Sequence, residues 1–245
     1  MIYLHEKYRP RSFDEVLGQD NAIRRIKQVL ARGWGGRAWW ICGGSGHGKT
    51  TVARILAKQG PPNTSVVEFN SADEVDGAEY GEIRTVSIFR PIIPTAFIIN
   101  EAHGLKKHVI RGLLGILERL PDEVVVVFTT TQVGEQELFE AKIDAQPLLS
   151  RCIEIQLTSQ GLAEPFAERC REIAVLENLD GNKPLKDYIK LARKCKSNFR
   201  QMLIEIEAGC MLDTPQLRYP DIRGDSGKGT SANCASGPIS GTLHI

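Results

Sequence analysis

Short apolar runs alternate with amphipathic stretches up to Leu157, and the two periodicities predict strands alternating with helices. Asp20 to Leu30 sets Ile23, Ile26, Val29 and Leu30 on one face against a basic opposite side, the pattern of a helix. Ala38 to Cys42 (AWWIC) is apolar throughout and runs into a glycine cluster, as a buried strand does. Thr50 to Lys58 reads as a helix with Val52, Ile55 and Leu56 turned inward, and Val66 to Phe69 as a second strand. Ala96 to Ile99 is a third strand, Lys107 to Leu120 an amphipathic helix, Val124 to Phe128 a β-branched central strand, and Ile153 to Leu157 the last strand. Strands that are apolar on both faces and separated by helices predict a parallel sheet covered by helices, an α/β fold.

The alternation stops near Thr158. Gln160 to Leu176, Leu185 to Cys195 and Asn198 to Leu212 read as three helices, the last two parted by a break at Lys196–Ser197. The expected organisation is a nucleotide-binding domain over residues 1–158, a three-helix lid over 159–212, and a Gly/Ser/Pro-rich tail over 213–245 expected to be flexible. Composition is that of a globular protein: 42% hydrophobic and 25% charged among 245 residues. No apolar run is long enough to span a bilayer, since Ile88 to Ile99 is broken by Arg90, Pro91 and Pro94. The opening MIYLHEKYRP lacks the apolar core of a secretory signal, and the six cysteines form no C-x-x-C pair. An intracellular, reducing location is expected, cytoplasmic or nucleoid, or nuclear in a eukaryote, with no membrane partner. The formal net charge of +1 is a cancellation. Residues 1–60 hold 11 Lys+Arg against 4 Asp+Glu, whereas residues 61–145 hold 7 against 14.

Gly43 to Thr50 reads GGSGHGKT and matches G-x-x-x-x-G-K-[ST] between a strand and a helix. Gly43, Gly44, Ser45, Gly46, His47 and Gly48 offer backbone N–H groups that can curl around phosphate oxygens. Lys49 is placed to reach the β- and γ-phosphates, Thr50 to bind Mg²⁺ through its hydroxyl, and Thr51 to extend the loop. ATP and Mg²⁺ are the expected ligands. Residues 224–230 (GDSGKGT) repeat the Gly-Lys pair, but no strand precedes them and Gly229 stands where Ser or Thr is needed, so they read as tail. Such a hydrolase needs acidic groups at the end of a neighbouring strand, and the run Ala96–Ile99 ends in Asn100–Glu101–Ala102–His103. Glu101 is the candidate base. Asn100 stands where a metal-orienting Asp is expected; it keeps an oxygen and loses the charge.

These pieces, in order, resemble the AAA+ ATPases of replication clamp loaders: replication factor C small subunits, the bacterial polymerase III gamma/tau subunit and their phage counterparts. KYRPRSFDEVLGQ (Lys7 to Gln19) resembles the family's opening box, and VVEFNSADE (Val66 to Glu74) with Ile83–Arg84 its second-strand segment. NEAH resembles the acidic box, and LLGILERLPDEVVVVFTTTQ (Leu113 to Gln132) the stretch leading into the sensor strand. Leu149–Ser150–Arg151–Cys152 carries the Ser-Arg-Cys signature, and SNFRQML (Ser197 to Leu203) resembles the helix of the second sensor. The resemblance covers roughly residues 5–212. It implies a P-loop AAA+ parallel sheet flanked by helices, followed by a small all-helical lid.

By residue, the resemblance implies that Tyr8, Arg9 and Pro10, with the backbone of Val16, Leu17 and Gly18, contact adenine and ribose. Thr130 or Thr131 is the first sensor of the γ-phosphate, and Arg200 the second. Arg151 is an arginine finger acting on ATP bound in a neighbouring subunit, and Cys152 a small buried residue of the signature. Arg84, Lys106, Lys107 and Arg111 are candidate phosphate contacts to primer-template DNA, a role that needs positive charge and position but reads no bases. The implied activity is Mg²⁺-dependent ATP hydrolysis that opens or places a sliding clamp. The implied partners are other clamp-loader subunits in a ring or spiral, the clamp, and DNA. Departures mark the other readings. Asn100 points to a weakly hydrolysing or non-hydrolysing assembly subunit, and the polar tail stands where relatives carry a helical collar, as in a truncated member, a divergent one, or a protein that assembles differently. The four-cysteine zinc insertion of the bacterial subunit is absent, which favours the replication-factor-C or phage side. A related AAA+ ATPase of recombination or transposition is disfavoured by the Ser-Arg-Cys box.

Overall fold

Five of the apolar runs pair, all in parallel, as the strands of one sheet: β1 Arg37–Cys42, β2 Ser65–Phe69, β3 Thr95–Ile99, β4 Val124–Thr130 and β5 Cys152–Gln156. Their spatial order is β2-β3-β4-β1-β5. The computed structural model describes residues 2–131 and 145–212. The tail 213–245, with its Gly-Lys repeat, and Gln132 lie outside the described residues.

Side chains along β1 alternate between two cores. Trp39 and Ile41 pack with Ala96, Ile98, Val125 and Val127 on one face. Ala38, Trp40 and Cys42 pack with Phe97, Ile99, Val126 and Phe128 on the other. Every residue of β3 and β4 is buried, in keeping with their apolar, largely β-branched and aromatic side chains on both faces. Helices cover both faces. The α2 helix (Asp20–Leu30) and α3 (Lys49–Ala57) bury Ile23, Ile26, Val52, Ile55 and Leu56 on the Trp39 side. On the Trp40 side, α4 (Ala78–Ile88) and α5 (Lys107–Leu117) bury Ile83, Val109, Ile110 and Leu113. The short α1 (Leu4–Lys7) and α6 (Ala145–Leu149) complete this part.

Helix α4 has no counterpart in the sequence reading. Its stretch AEYGEIRTVSI carries Gly81 and β-branched Thr85 and Val86, and buries only Ile83 and Ser87, so no apolar stripe announces it. The long apolar run from Ile88 is divided: α4 ends there, Arg90 takes a left-handed φ of 48°, and β3 begins at Thr95. Helix α5 stops at Leu117 rather than Leu120, ahead of Pro121, which disfavours helical backbone in the residue before it.

Beyond β5, α7 (Ala163–Leu176), α8 (Leu185–Lys194) and α9 (Phe199–Glu207) enclose a third core of Phe166, Cys170, Ile173, Tyr188, Leu191, Met202 and Ile206, joined by Leu4. Lys196 and Ser197, both at positive φ, make the turn between α8 and α9, and the Asn198 side chain accepts from Gln201 N to cap α9. The opening box is fastened to this junction by its last two residues. Buried Gln19 donates to Thr158 O at 3.1 Å and accepts from Thr158 N at 2.8 Å. Gly18, at φ 69°, lies against Leu162 so closely that a Cβ would sit 2.4 Å from Leu162 Cδ2. Cys152, Cys170, Cys195 and Cys210 are free thiols. No helix of the described residues is long and apolar enough to cross a membrane.

Candidate active site

The chain leaves the carboxyl end of β1, between β4 and β5, straight into the glycine loop, the place where open α/β sheets bind ligands. A cleft of about 1050 Å³, open to solvent, lies over this loop. It is lined by Tyr8, Arg9, Pro10, Val16 and Leu17 of the opening box, by Ser45 to Thr51, by Glu101, and by Arg200 of α9. Segments far apart in the chain thus converge on one opening.

The loop has the backbone that anion binding requires. Gly46 and Gly48 take φ of 74° and 92°, and Gly48 is the N-cap of α3 with no side-chain cap, so the first N–H groups of the helix face the cleft without one. Gly46 is further held to glycine by the lid, because a Cβ there would meet Asn198 Oδ1 at 1.9 Å. Lys49 is buried, and its Nζ donates to Gly44 O at 3.0 Å. Burial pushes its pKa below the usual lysine range, only partly offset by the Glu101 charge. His47 is buried too, with Nδ1 3.3 Å from Ser159 Oγ. Burial, and then the charge of Lys49, hold its imidazole below the usual histidine pKa, so the loop adds no second cation there near neutral pH.

Asn100 is the hub of a satisfied network. Its Oδ1 accepts from Thr50 Oγ1 at 3.0 Å and Thr129 Oγ1 at 2.9 Å, while its Nδ2 donates to Glu68 Oε1 at 3.0 Å and Phe69 O at 3.1 Å. Glu68 in turn accepts from Arg54 Nε at 2.7 Å. An amide suits this position because one end meets two hydroxyls and the other meets two acceptors. Thr50 Oγ1 is a hard oxygen lining the cleft, with buried Asn100 Oδ1 bonded directly behind it, fitting a cation that keeps waters and phosphate oxygens as further ligands. Among the described residues, no group of three or more His, Cys, Asp or Glu side chains could hold a metal alone. Replacing Asn100 with Ala strands the Thr129 hydroxyl and removes a donor from Glu68. It should destabilise the fold by about 2–4 kcal/mol, read by urea unfolding.

Glu101 occupies left-handed backbone, φ 51° and ψ 49°, unusual for a non-glycine residue. Its Oε2 lies 3.5 Å from His103 Nδ1, which lies 3.4 Å from Thr130 Oγ1. Thr130 is therefore linked through one imidazole to the candidate base, while Thr131 follows the strand end. In the opening box, Arg9 Nη1 donates to Thr51 Oγ1 at 3.1 Å, and Tyr8 OH donates to Glu177 beyond the end of α7.

Some predicted residues lie elsewhere. Gly18, Gly43, Gly44, Asn100 and Thr131 are not among those lining the cleft. Arg151 is also outside it, paired with Glu118. Cys152 is half-buried rather than fully buried. Its thiol bonds to Leu148 O at 3.3 Å, and burial pushes its pKa up to about 12, so it is no reactive thiolate. Arg84 is exposed on α4, and Lys107 and Arg111 are exposed one turn apart on α5. Lys106, the N-cap of α5, is ion-paired with Asp76, whose carboxyl is held down at about 2 by Lys106 and then by His108. The sequence reading missed His5, Glu15, Phe166, Arg169 and Phe199, which also line the cleft. Phe166 and Phe199 pack with their rings tilted by 58° and centroids 5.0 Å apart, and their helical spacing marks them only as lid core.

Residues 40–156, from β1 to the end of β5, match the ATPase family associated with various cellular activities (AAA). Over that stretch the chain is similar to AAA ATPases. A polymerase III gamma/tau subunit of Mycobacterium tuberculosis is 32% identical over 53% of this chain and 27% of its own length. A gamma subunit of Buchnera aphidicola is 28% identical over 72% of this chain and 53% of its own. The chain therefore spans about half, or less, of the curated relatives it matches. Among solved structures, a RuvB variant of Thermotoga maritima superposes with a TM-score of 0.63 at 21% identity, over 82% of this chain and 64% of its own, a likeness of fold.

Proposed function

We propose that the chain binds ATP in the cleft over its glycine loop and hydrolyses it, and that it works as a clamp-loader subunit on primer-template DNA. The convergence of the opening box, the glycine loop, Glu101 and Arg200 on one cleft carries this reading. The loop amides and Lys49 hold the phosphates, and Tyr8, Arg9 and Pro10, with Val16, Leu17 and Gly18, flank adenine and ribose. Thr50 and Asn100 hold Mg²⁺, which when bound neutralises charge on the phosphates. Glu101 accepts the proton of the attacking water. Thr130 or Thr131 reports the γ-phosphate to β4, and Arg200 carries its state into the lid, for which we take residues 159–212. Arg151 completes the site of an adjoining subunit, so the active form is an oligomer.

Exposed Arg84, Lys107 and Arg111 supply positive charge toward DNA phosphates. Lys106 joins them only by exchanging Asp76 for a phosphate. Polymerase III gamma/tau relatives support the clamp-loading part of the proposal. The saturated Asn100 network favours a second reading, an ATP-binding subunit of slow turnover, because both lone pairs of Asn100 Oδ1 are already taken by the Thr50 and Thr129 hydroxyls. Turnover of ATP measured with and without primed DNA and a sliding clamp separates the two. Stimulation by DNA and clamp together supports the loader. Turnover indifferent to both overturns it.

A further inference from the structure

The Ser-Arg-Cys signature is, in this chain, the cap of helix α6. Ser150 Oγ and Arg151 Nη1 both donate to Pro147 O at 2.8 Å, and Cys152 Sγ bonds to Leu148 O. The backbone N–H groups of Ser150 and Arg151 close the same turn on Gln146 O and Leu148 O. The remaining donors of Arg151 are directed by one carboxylate from another element. Nε donates to Glu118 Oε1 at 3.0 Å, and Nη2 donates to the same oxygen. Each guanidinium nitrogen thereby has an acceptor, and one N–H remains on each terminal nitrogen among the described contacts. A fork of that kind suits phosphoryl oxygens.

Glu118 stands where a helix disfavours it. It is the C-cap of α5, a position at which the helix dipole prefers cations, as its neighbour Arg119 illustrates. The pair with Arg151 is exposed, so its stabilising effect is small. Glu118 does answer to Arg151 electrostatically, since the guanidinium holds its carboxyl below the usual glutamate range. An acidic group placed against the dipole, with little return in stability, fits a role in aiming its partner.

We infer that Glu118 is a positioning residue for the arginine finger, fixing the Arg151 guanidinium from the end of α5 so that it meets ATP held by an adjoining copy of the chain. The inference rests on the trans-acting reading of Arg151. Helix α5 begins three residues after the 102–104 turn of the acidic box, so the aim of each finger is set from an element rooted at its own nucleotide cleft.

Mixed assemblies of the full chain test this. Lys49→Met protomers lose their own site but supply a finger, whereas Arg151→Ala protomers keep the site and lose the finger. Mixing the two should restore ATP turnover that neither has alone. Adding Glu118→Gln to the Lys49→Met protomers should lower the restored rate about tenfold or more, the cost of a misaimed group. Adding it to the Arg151→Ala protomers should leave the rate unchanged. An equal loss on both sides, or no loss on either, overturns the role of Glu118 while leaving the trans finger standing. Failure of the unmodified mixture overturns the trans finger, and the inference with it.

Discussion

Glu101→Gln should lower ATP turnover by about 10²–10⁴-fold and leave ATP affinity within a factor of a few. The substitution keeps the size and hydrogen-bonding reach of the side chain at the mouth of the cleft and removes only its capacity to take a proton. Its backbone is already committed to left-handed geometry, so the variant meets no strain that Glu101 does not. Phosphate release followed beside equilibrium ATP binding separates the two effects. Parallel loss of binding and turnover would assign Glu101 to nucleotide holding, and unchanged turnover would remove it from the chemistry.

Lys49→Met should act in opposite directions on the ligand-free and ATP-bound protein. Without nucleotide, the buried ammonium is opposed by desolvation and held chiefly by the Gly44 carbonyl. A neutral side chain of similar length should therefore raise the melting temperature by about 2–4 °C, corresponding to roughly 1 kcal/mol. The pH dependence follows from the sign of the shift. With its folded-state pKa depressed, Lys49 releases its proton more readily when folded than when unfolded, so the unmodified protein gains stability as pH rises toward the ordinary lysine range. The advantage of Lys49→Met should shrink over the same interval. With ATP present, the unmodified protein should gain about 2.7 kcal/mol at a hundredfold excess over Kd, and the variant should gain almost none. Retained thermal stabilisation by ATP in Lys49→Met would contradict the placement of the phosphates on this loop.

The sheet was legible because β1, β3 and β4 are apolar on both faces, and continuous β-branched runs between glycine and proline breaks have few other uses. Helix α4 was not legible because Gly81, Thr85 and Val86 obscure its stripe, and Ile83 alone carries its burial at full depth. Residues of the glycine loop and the opening box could be named in advance because their spacing is itself the chemistry. Phe166, Arg169 and Phe199 could not, because a residue lining a cleft from a neighbouring helix has the same spacing as one filling that helix's core. Asn100 shows a further limit. From sequence it is a missing charge, whereas its environment of Thr50, Thr129, Glu68 and Phe69 calls for an amide with both ends used. The Ser-Arg-Cys tripeptide likewise matched a signature on paper, yet its local work as the cap of α6 and its tie to Glu118 depend on elements that sequence does not bring together.

The most direct measurement is an isothermal titration of the full chain with a non-hydrolysable ATP analogue and Mg²⁺. The cleft over Ser45 to Thr51 predicts one saturable site with micromolar affinity, weakened about 100-fold or more in Lys49→Met. No saturable binding, or binding of equal affinity in the variant, would contradict the assignment of this cleft to ATP.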